Sequence, residues 1–155
     1  MPPSVVMSWS SSQVTEWRNA HSRRKQMGRL FLQEEKLQYP NRWTSPEVGA
    51  LKLNVDASVF TDADSFSVGL VLRVHHGTFI RGRTMKFAGK IDVLEAELMG
   101  ILEALKWISA LSGYKITIES DSLLSVKAIQ GNIQNQLEAG MLVDQCRDIL
   151  RVRVR

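Results

Sequence analysis

Three acidic side chains lie where the predicted elements of this chain would converge, and together they could hold divalent metal ions. Asp56 is near the end of a predicted strand, Glu97 is one turn into a predicted helix, and Asp121 follows another strand. Carboxylates gathered in one place repel each other and raise each other's pKa unless cations neutralise them. Carboxylate oxygens suit Mg²⁺ or Mn²⁺, and pairs of such ions catalyse phosphodiester hydrolysis.

Glu97 is the most informative of the three because it interrupts an apolar helix face. Apolar residues recur at spacings of three and four between residues 91 and 111, which predicts a helix. Viewed along the axis of that helix, Ile101 and Ile108 fall within about 40° of Glu97. An inward carboxylate destabilises the fold unless it is paired, protonated or bound to a metal. Glu97 therefore needs a partner.

Asp56 and Asp121 each have an ordinary alternative role when they are considered alone. Asp56 lies on the polar face of its predicted strand, where a solvated aspartate is the commoner case. Asp121 precedes Ser122 and could cap the helix that follows, a frequent role for aspartate. Neither alternative explains why an inward glutamate should accompany them.

The order of predicted elements indicates an α/β fold with a mixed sheet and helices packed on it. The pattern is β-β-β-α-β-α-α, and a helical crossover between two strands joins strands that run parallel. The strict Arg/Val alternation at 151–155 predicts the beginning of a fifth strand. Strands are predicted at about 51–58, 66–74, 78–87 and 114–120, and helices at about 91–111, 122–130 and 136–150.

The first 48 residues differ in pattern from the remainder of the chain. Residues 13–37 have helical composition around a basic run at 22–25, and Pro40, Pro46 and Gly49 then break any helix. We therefore expect residues 1–48 to be an N-terminal extension that is partly helical and open to flexibility. Residues 49–155 are expected to form the folded domain.

Composition and charge favour an intracellular protein that could bind a polyanion. The net charge is +4 and the sequence pI is about 9.5, which is compatible with a nucleic-acid partner without demanding one. A single cysteine excludes an internal disulfide and fits a reducing compartment. No apolar stretch approaches the roughly 18 residues that span a bilayer. We therefore expect a nuclear or cytoplasmic protein without a membrane partner.

At its acidic residues the chain resembles type 1 ribonuclease H. The segments Leu-Lys-Leu-Asn-Val-Asp-Ala-Ser at 51–58, Glu-Ala-Glu-Leu at 95–98 and Ile-Glu-Ser-Asp-Ser at 118–122 look like the successive acidic motifs of that family. The lead-in Arg-Trp-Thr-Ser-Pro at 42–46 is similar to that of the plant ribonuclease H-like domains related to retroelement reverse transcriptases. The resemblance covers about residues 42–150.

This resemblance implies both a fold and an activity. The fold would be a ribonuclease H-like mixed sheet of five strands with the second strand antiparallel. The activity would be two-metal, endonucleolytic cleavage of the RNA strand of RNA–DNA hybrids, with Asp56, Glu97 and Asp121 as catalytic and metal-binding residues and Mg²⁺ or Mn²⁺ as cofactor. The partner would be a hybrid or double-stranded RNA, held through phosphates and 2′-hydroxyls. Candidate substrate contacts are Asn54, Ser58, Ser122 and Arg73.

The chain departs from the family pattern in two respects, which leaves alternative functions open. Ala57 stands where the family usually has glycine after the first aspartate. The family's last strand, its histidine loop and its last helix, which bears a fourth aspartate, would follow Arg155. We therefore expect residues 49–155 to be a truncated domain with its final strand and helix missing or incomplete.

Three functions remain open for a chain with these departures. The first is a metal-dependent hybrid ribonuclease. The second is a catalytically inactive, retroelement-derived module that binds nucleic acid or another protein. The third is a chain that folds poorly alone and forms oligomers through an exposed sheet edge at Val152 and Val154.

Overall fold

In a computed structural model of the protein, the described residues form a mixed β-sheet packed against α-helices. The chain divides into two compact units, and the strands and helices below all belong to the unit that comprises Met1–Trp9 and Ser45–Arg155. The described residues are 5–9, 44–111, 113–131 and 137–153.

The described strands form one five-stranded sheet in the order β1-β5-β2-β3-β4. The strands are β1 (Val5–Trp9), β2 (Leu51–Phe60), β3 (Ser65–Val74), β4 (Phe79–Ala88) and β5 (Ile116–Ser120). Strands β2, β3 and β4 are antiparallel neighbours, whereas β5 runs parallel to β2 on one side and to β1 on the other. The predicted mixed sheet, with an antiparallel second strand in the run β2-β3-β4, is confirmed.

Alternating side chains explain why the central strands form. Leu53 on β2 faces Leu72 on β3 in the register, Val55 faces Leu70, and all four are buried. The two antiparallel strands β3 and β4 are joined by a tight turn in which Gly77 adopts a φ of 79°, a conformation that favours glycine. The strands predicted at about 66–74 and 78–87 are the two arms of this hairpin.

Three helices follow the pattern expected from the sequence, and each of the first two is capped. They are α1 (Val93–Ile108), α2 (Leu123–Ile129) and α3 (Leu137–Arg153). Helix α1 begins with a capping box in which Asp92 Oδ1 accepts a hydrogen bond from the Glu95 backbone. It packs on β2 and β3 and against α3, so its apolar stripe completes the core. In the described part of the chain, no helix combines the length and the apolar character that a membrane crossing requires.

The fifth strand of the sheet comes from the N-terminal segment, which the sequence analysis did not predict. Strand β1 lies parallel to β5, with Val5 opposite Ile116 and Trp9 opposite Ser120. A segment of five residues is too short for its own pattern to reveal a partner so distant in sequence. The predicted helix at 13–37 lies outside the described residues. The boundary near residue 48 stays a prediction.

The predicted strand at 151–155 is wrong, because α3 continues to Arg153. Five alternating residues are a weak local signal, and the preceding helix continues through the first three of them. An ion pair of 3.2 Å between Arg151 Nη1 and Asp148 Oδ1 spans one helical turn and supports this continuation. Val152 lies on the helix with 77% of its surface exposed, and Val154 lies outside the described residues. An oligomer formed through a strand at Val152 therefore has no structural basis.

Candidate active site

The structure brings the three predicted carboxylates together where the parallel pairing of β2 and β5 ends. In that register the last pair is Val55 opposite Ser120, so Asp56, which continues along β2 opposite Gly69 of β3, lies beside Asp121, which follows the end of β5. Glu97 approaches from α1, which packs on β2. Oxygens from the three carboxyl groups lie within 4.8 Å of one another. No other group of three potential ligand residues is this close among the residues that the structure describes.

Glu97 is buried, as its position on the apolar face of α1 predicts. Only 7% of its surface is exposed, and its Oε2 atom has no hydrogen-bond partner among the described residues. A buried carboxylate oxygen without a partner is costly, because it loses hydration and gains nothing in return. This unpartnered oxygen is the strongest indication that the site is suited to a bound ligand.

Burial and mutual repulsion raise the pKa values of all three acids. The pKa of Glu97 rises to about 8. Burial of the side chain is the largest cause, and the charges of Asp121 and Asp56 raise the pKa further, whereas a hydrogen bond from the Ala57 backbone lowers it. Partial burial also raises the pKa of Asp56, although this residue is open to solvent. The pKa of Asp121 is raised by burial and then by Asp56. Without a cation, the site therefore holds a proton on Glu97 at neutral pH.

This donor set fits a divalent cation. Each of the three residues offers a carboxylate oxygen, the ligand type that Mg²⁺ and Mn²⁺ prefer. A cation among them would give the Glu97 Oε2 atom a partner and remove the repulsion that raises the three pKa values. The residues present are therefore suited to hold a metal ion.

Asp121 does not cap helix α2, which was the ordinary alternative role for this residue. The N-cap of α2 is Ser122, whose Oγ accepts a hydrogen bond of 3.3 Å from the Ser125 backbone. Ser120 Oγ in turn accepts a hydrogen bond from the Ser122 backbone, which fixes the turn between β5 and α2. Because Ser122 supplies the cap, Asp121 is left to join the carboxylate cluster.

The four predicted substrate contacts lie in different surroundings. Asn54 Nδ2 donates a hydrogen bond of 2.7 Å to Glu119 Oε2, and Arg73 Nη1 donates one of 3.3 Å to the carbonyl oxygen of Gly77. Ser58 is exposed two residues beyond Asp56 on β2. A substrate contact of any of these residues, or of Ser122, stays a prediction.

The sequence analysis missed a buried ion pair beside the site. Lys52 Nζ lies 3.2 Å from Glu119 Oε1, and the two side chains are only 4% and 7% exposed. Both residues stand on strand positions that alternation assigns to the polar face. Their opposite charges could have indicated an ion pair. That indication requires the register of β2 against β5, because the register decides which side chains lie close together.

The sequence matches the reverse transcriptase-like family over residues 54–154, a segment that contains all three carboxylates. The chain belongs to this family. A comparison with curated proteins gives no match.

Solved structures similar to this reverse transcriptase-like chain are ribonucleases H. Ribonuclease H1 from the halophilic archaeon Halobacterium salinarum NRC-1 is 19% identical with a TM-score of 0.60, over 66% of this chain and 78% of that one. LC11-RNase H1 in complex with an RNA/DNA hybrid is 16% identical with a TM-score of 0.60, over 67% and 78%. The N-terminal RNase H domain of Rv2228c from Mycobacterium tuberculosis, solved as a fusion with maltose binding protein, is 16% identical with a TM-score of 0.57, over 66% and 74%. The predicted ribonuclease H-like fold is confirmed.

Proposed function

We propose that this protein is a metal-dependent endonuclease that hydrolyses the RNA strand of RNA–DNA hybrids. The observation that carries the proposal is the group of three carboxylates around the unpartnered Oε2 atom of Glu97. Membership of the reverse transcriptase-like family and the ribonuclease H-like fold support the same activity.

Asp56, Glu97 and Asp121 would hold Mg²⁺ or Mn²⁺ in this reaction. When bound, these ions supply Lewis-acid chemistry at a phosphate, so the protein itself needs no nucleophile. A cation held by the three carboxylates would favour the ionised form of Glu97, because its positive charge opposes the burial and the two neighbouring charges that raise the pKa of this group. Glu97 is buried whereas Asp56 is exposed, so the substrate approaches from the side of Asp56.

The charge of the chain and one of the similar structures support an RNA–DNA hybrid as the substrate. LC11-RNase H1 is in complex with such a hybrid. Arg81 and Arg83 are exposed on β4, and neither makes an ion pair within the described residues. Exposed arginines of this kind can bind phosphates without reading bases. Ser58, Ser122, Asn54 and Arg73 are the other proposed contacts.

The test is cleavage of a fluorescently labelled RNA–DNA hybrid by the purified full chain. We expect cleavage of the RNA strand that requires Mg²⁺ or Mn²⁺ and disappears in EDTA. Asp56→Asn should reduce the rate to background, because it removes a charged ligand oxygen. Asp148→Asn makes the same chemical change on the exposed surface of α3 and should retain the wild-type rate.

Two other results would favour the catalytically inactive alternative. If the wild type binds the divalent ion and the hybrid without cleaving either strand, the ribonuclease proposal is wrong. Binding that weakens steeply with added salt would then identify a nucleic-acid-binding module. Double-stranded RNA of the same length, tested beside the hybrid, shows which duplex is preferred.

A further inference from the structure

A polar cluster, buried at Lys52 and Glu119 and half-buried at Asn54, links β2 to β5 near the carboxylates, with Asn54 and Glu119 two residues before Asp56 and Asp121. Lys52 pairs with Glu119 Oε1 at 3.2 Å, and Asn54 donates to Glu119 Oε2 at 2.7 Å. Both oxygens of Glu119 are therefore satisfied by side chains from the neighbouring strand. We call Lys52, Asn54 and Glu119 the buried triad.

Stability alone does not explain the buried triad. Removing two charges from water is costly, and apolar side chains of similar volume often stabilise a fold equally well or better. An ion pair whose side chains are only 4% and 7% exposed therefore calls for another role. The best-attested role of buried polar groups of this kind is to select one arrangement of neighbouring elements.

The arrangement in question is the register of β2 against β5. Leu51 lies opposite Ile116 and Leu53 opposite Ile118, so an apolar alternation fixes which face of each strand points to the core. Alternation has a period of two, so a slip by two residues would keep every face as it is. Such a slip would separate Glu119 from Asn54, which lie opposite each other. In one direction it would place Glu119 opposite Asp56 and leave its buried charge out of reach of Lys52, whereas in the other direction Lys52 would stay beside Glu119 and only the Asn54 hydrogen bond would be lost.

The same slip would dismantle the candidate metal site. Asp56 and Asp121 each follow a member of the buried triad by two residues, on β2 and just past β5. A slip of two residues moves one strand by about 7 Å along the other. That displacement exceeds the 4.8 Å within which the three carboxylates now meet.

We propose that Lys52, Asn54 and Glu119 are positioning residues, which lock the register that places Asp56 beside Asp121. The inference rests on the proposed function, because it assigns the lock to the metal site of that function. A positioning role differs from a stabilising role in what apolar replacements should do. They should keep the folding stability and lose the register.

The experiment compares the wild type with an apolar triple variant, Lys52→Met/Asn54→Val/Glu119→Leu. Mn²⁺ binding is measured by calorimetry in the absence of nucleic acid, so a lost substrate contact of Asn54 cannot influence the result. Thermal unfolding is measured on the same samples. We expect the triple variant to fold with a melting temperature near or above that of the wild type, and to bind Mn²⁺ at least about 10-fold more weakly.

Two controls separate positioning from stability. Ile108→Val destabilises the core at the far end of α1 and should leave Mn²⁺ affinity unchanged. Backbone NMR should show a second set of amide signals around Asp56 and Asp121 in the triple variant, because two registers would then coexist. A merely structural triad would produce neither the loss of affinity nor the doubled signals.

Each outcome decides the proposal. A folded triple variant with wild-type Mn²⁺ affinity would overturn it. If the triple variant does not fold, the double variant Lys52→Met/Glu119→Gln replaces it, because the glutamine side chain keeps the hydrogen bond to Asn54. We expect this double variant to bind Mn²⁺ at least about 3-fold more weakly than the wild type. Unchanged Mn²⁺ affinity in the double variant would overturn the proposal equally. A wild type that binds Mn²⁺ but cleaves no hybrid refutes the proposed function alone, whereas a wild type that binds no Mn²⁺ refutes both.

Discussion

At the residue scale, Glu97 links the stability of the protein to pH. The folded protein keeps the Glu97 proton until about pH 8, whereas the ordinary pKa of the group is 4.5. Between these values the unfolded chain binds fewer protons, so the free energy of unfolding falls as pH rises. The fall is at most about 1.4 kcal/mol per pH unit and ends above pH 8.

Thermal unfolding from pH 5 to pH 9, without metal, measures this effect. We expect the melting temperature of the wild type to fall over this range and that of Glu97→Gln to fall less, because glutamine stays neutral. Glu103→Gln, which loses an ion pair on the other face of α1, should keep the wild-type slope. An equal slope in Glu97→Gln and wild type would show that Glu97 is not the titrating group.

The sequence indicates Glu97 as a candidate site residue more firmly than it indicates Asp56 and Asp121. An inward charge is visible from helical periodicity alone, and its burial is confirmed. Asp56 and Asp121 had equally good local explanations. The structure removes the helix cap as an explanation for Asp121, whereas Asp56 is exposed, as its polar strand face predicts, and still belongs to the carboxylate cluster. Lys52 and Glu119 looked solvated, because one strand does not reveal what covers its polar face.

At the element scale, Gly100 allows α1 to approach the sheet closely. A Cβ atom at this position would lie 3.0 Å from Val55 Cγ1 and 3.5 Å from Val68 Cγ1. Val55 is buried and β-branched, so it cannot easily rotate away. The close approach keeps Glu97, one turn earlier on α1, near Asp56 on β2.

Gly100→Ala should therefore destabilise the protein, although alanine is the better helix former. Overpacking costs about 1–3 kcal/mol, and the gain in helix propensity is about 1 kcal/mol. We expect a net loss of about 1 kcal/mol in urea unfolding and weaker Mn²⁺ binding. The double variant Gly100→Ala/Val55→Ala makes room for the new methyl group and should recover Mn²⁺ affinity. A stabilised single variant would show that α1 can move without harm.

The elements themselves were predictable where the pattern was long. Strands β2 and β3 show the period of two over most of their length, and helix α1 shows the period of three to four. Residues 151–153 show that a short alternation is not sufficient, because the helix that precedes them continues through them. Periodicity predicts an element reliably only when the pattern is longer than the stretch into which a neighbouring helix or strand can continue.

At the scale of the whole molecule, β1 covers the edge of β5 beside the candidate site. Met7 lies opposite Ile118 in the register and packs against the core. Without β1, β5 would present unpaired backbone groups, which can pair with another chain. The N-terminal segment therefore protects the same strand that the buried triad aligns.

Met7→Lys should weaken the docking of β1 and expose this edge. We expect a loss of about 2 kcal/mol in the free energy of unfolding, because the lysine places a charge against the core. We also expect assembly that increases with protein concentration, measured by light scattering. Val152→Lys makes the same change of charge on the exposed surface of α3 and should alter neither quantity. If Val152→Lys prevented assembly of the Met7→Lys variant, contacts would run through the C-terminal segment and the role assigned to the β5 edge would be wrong.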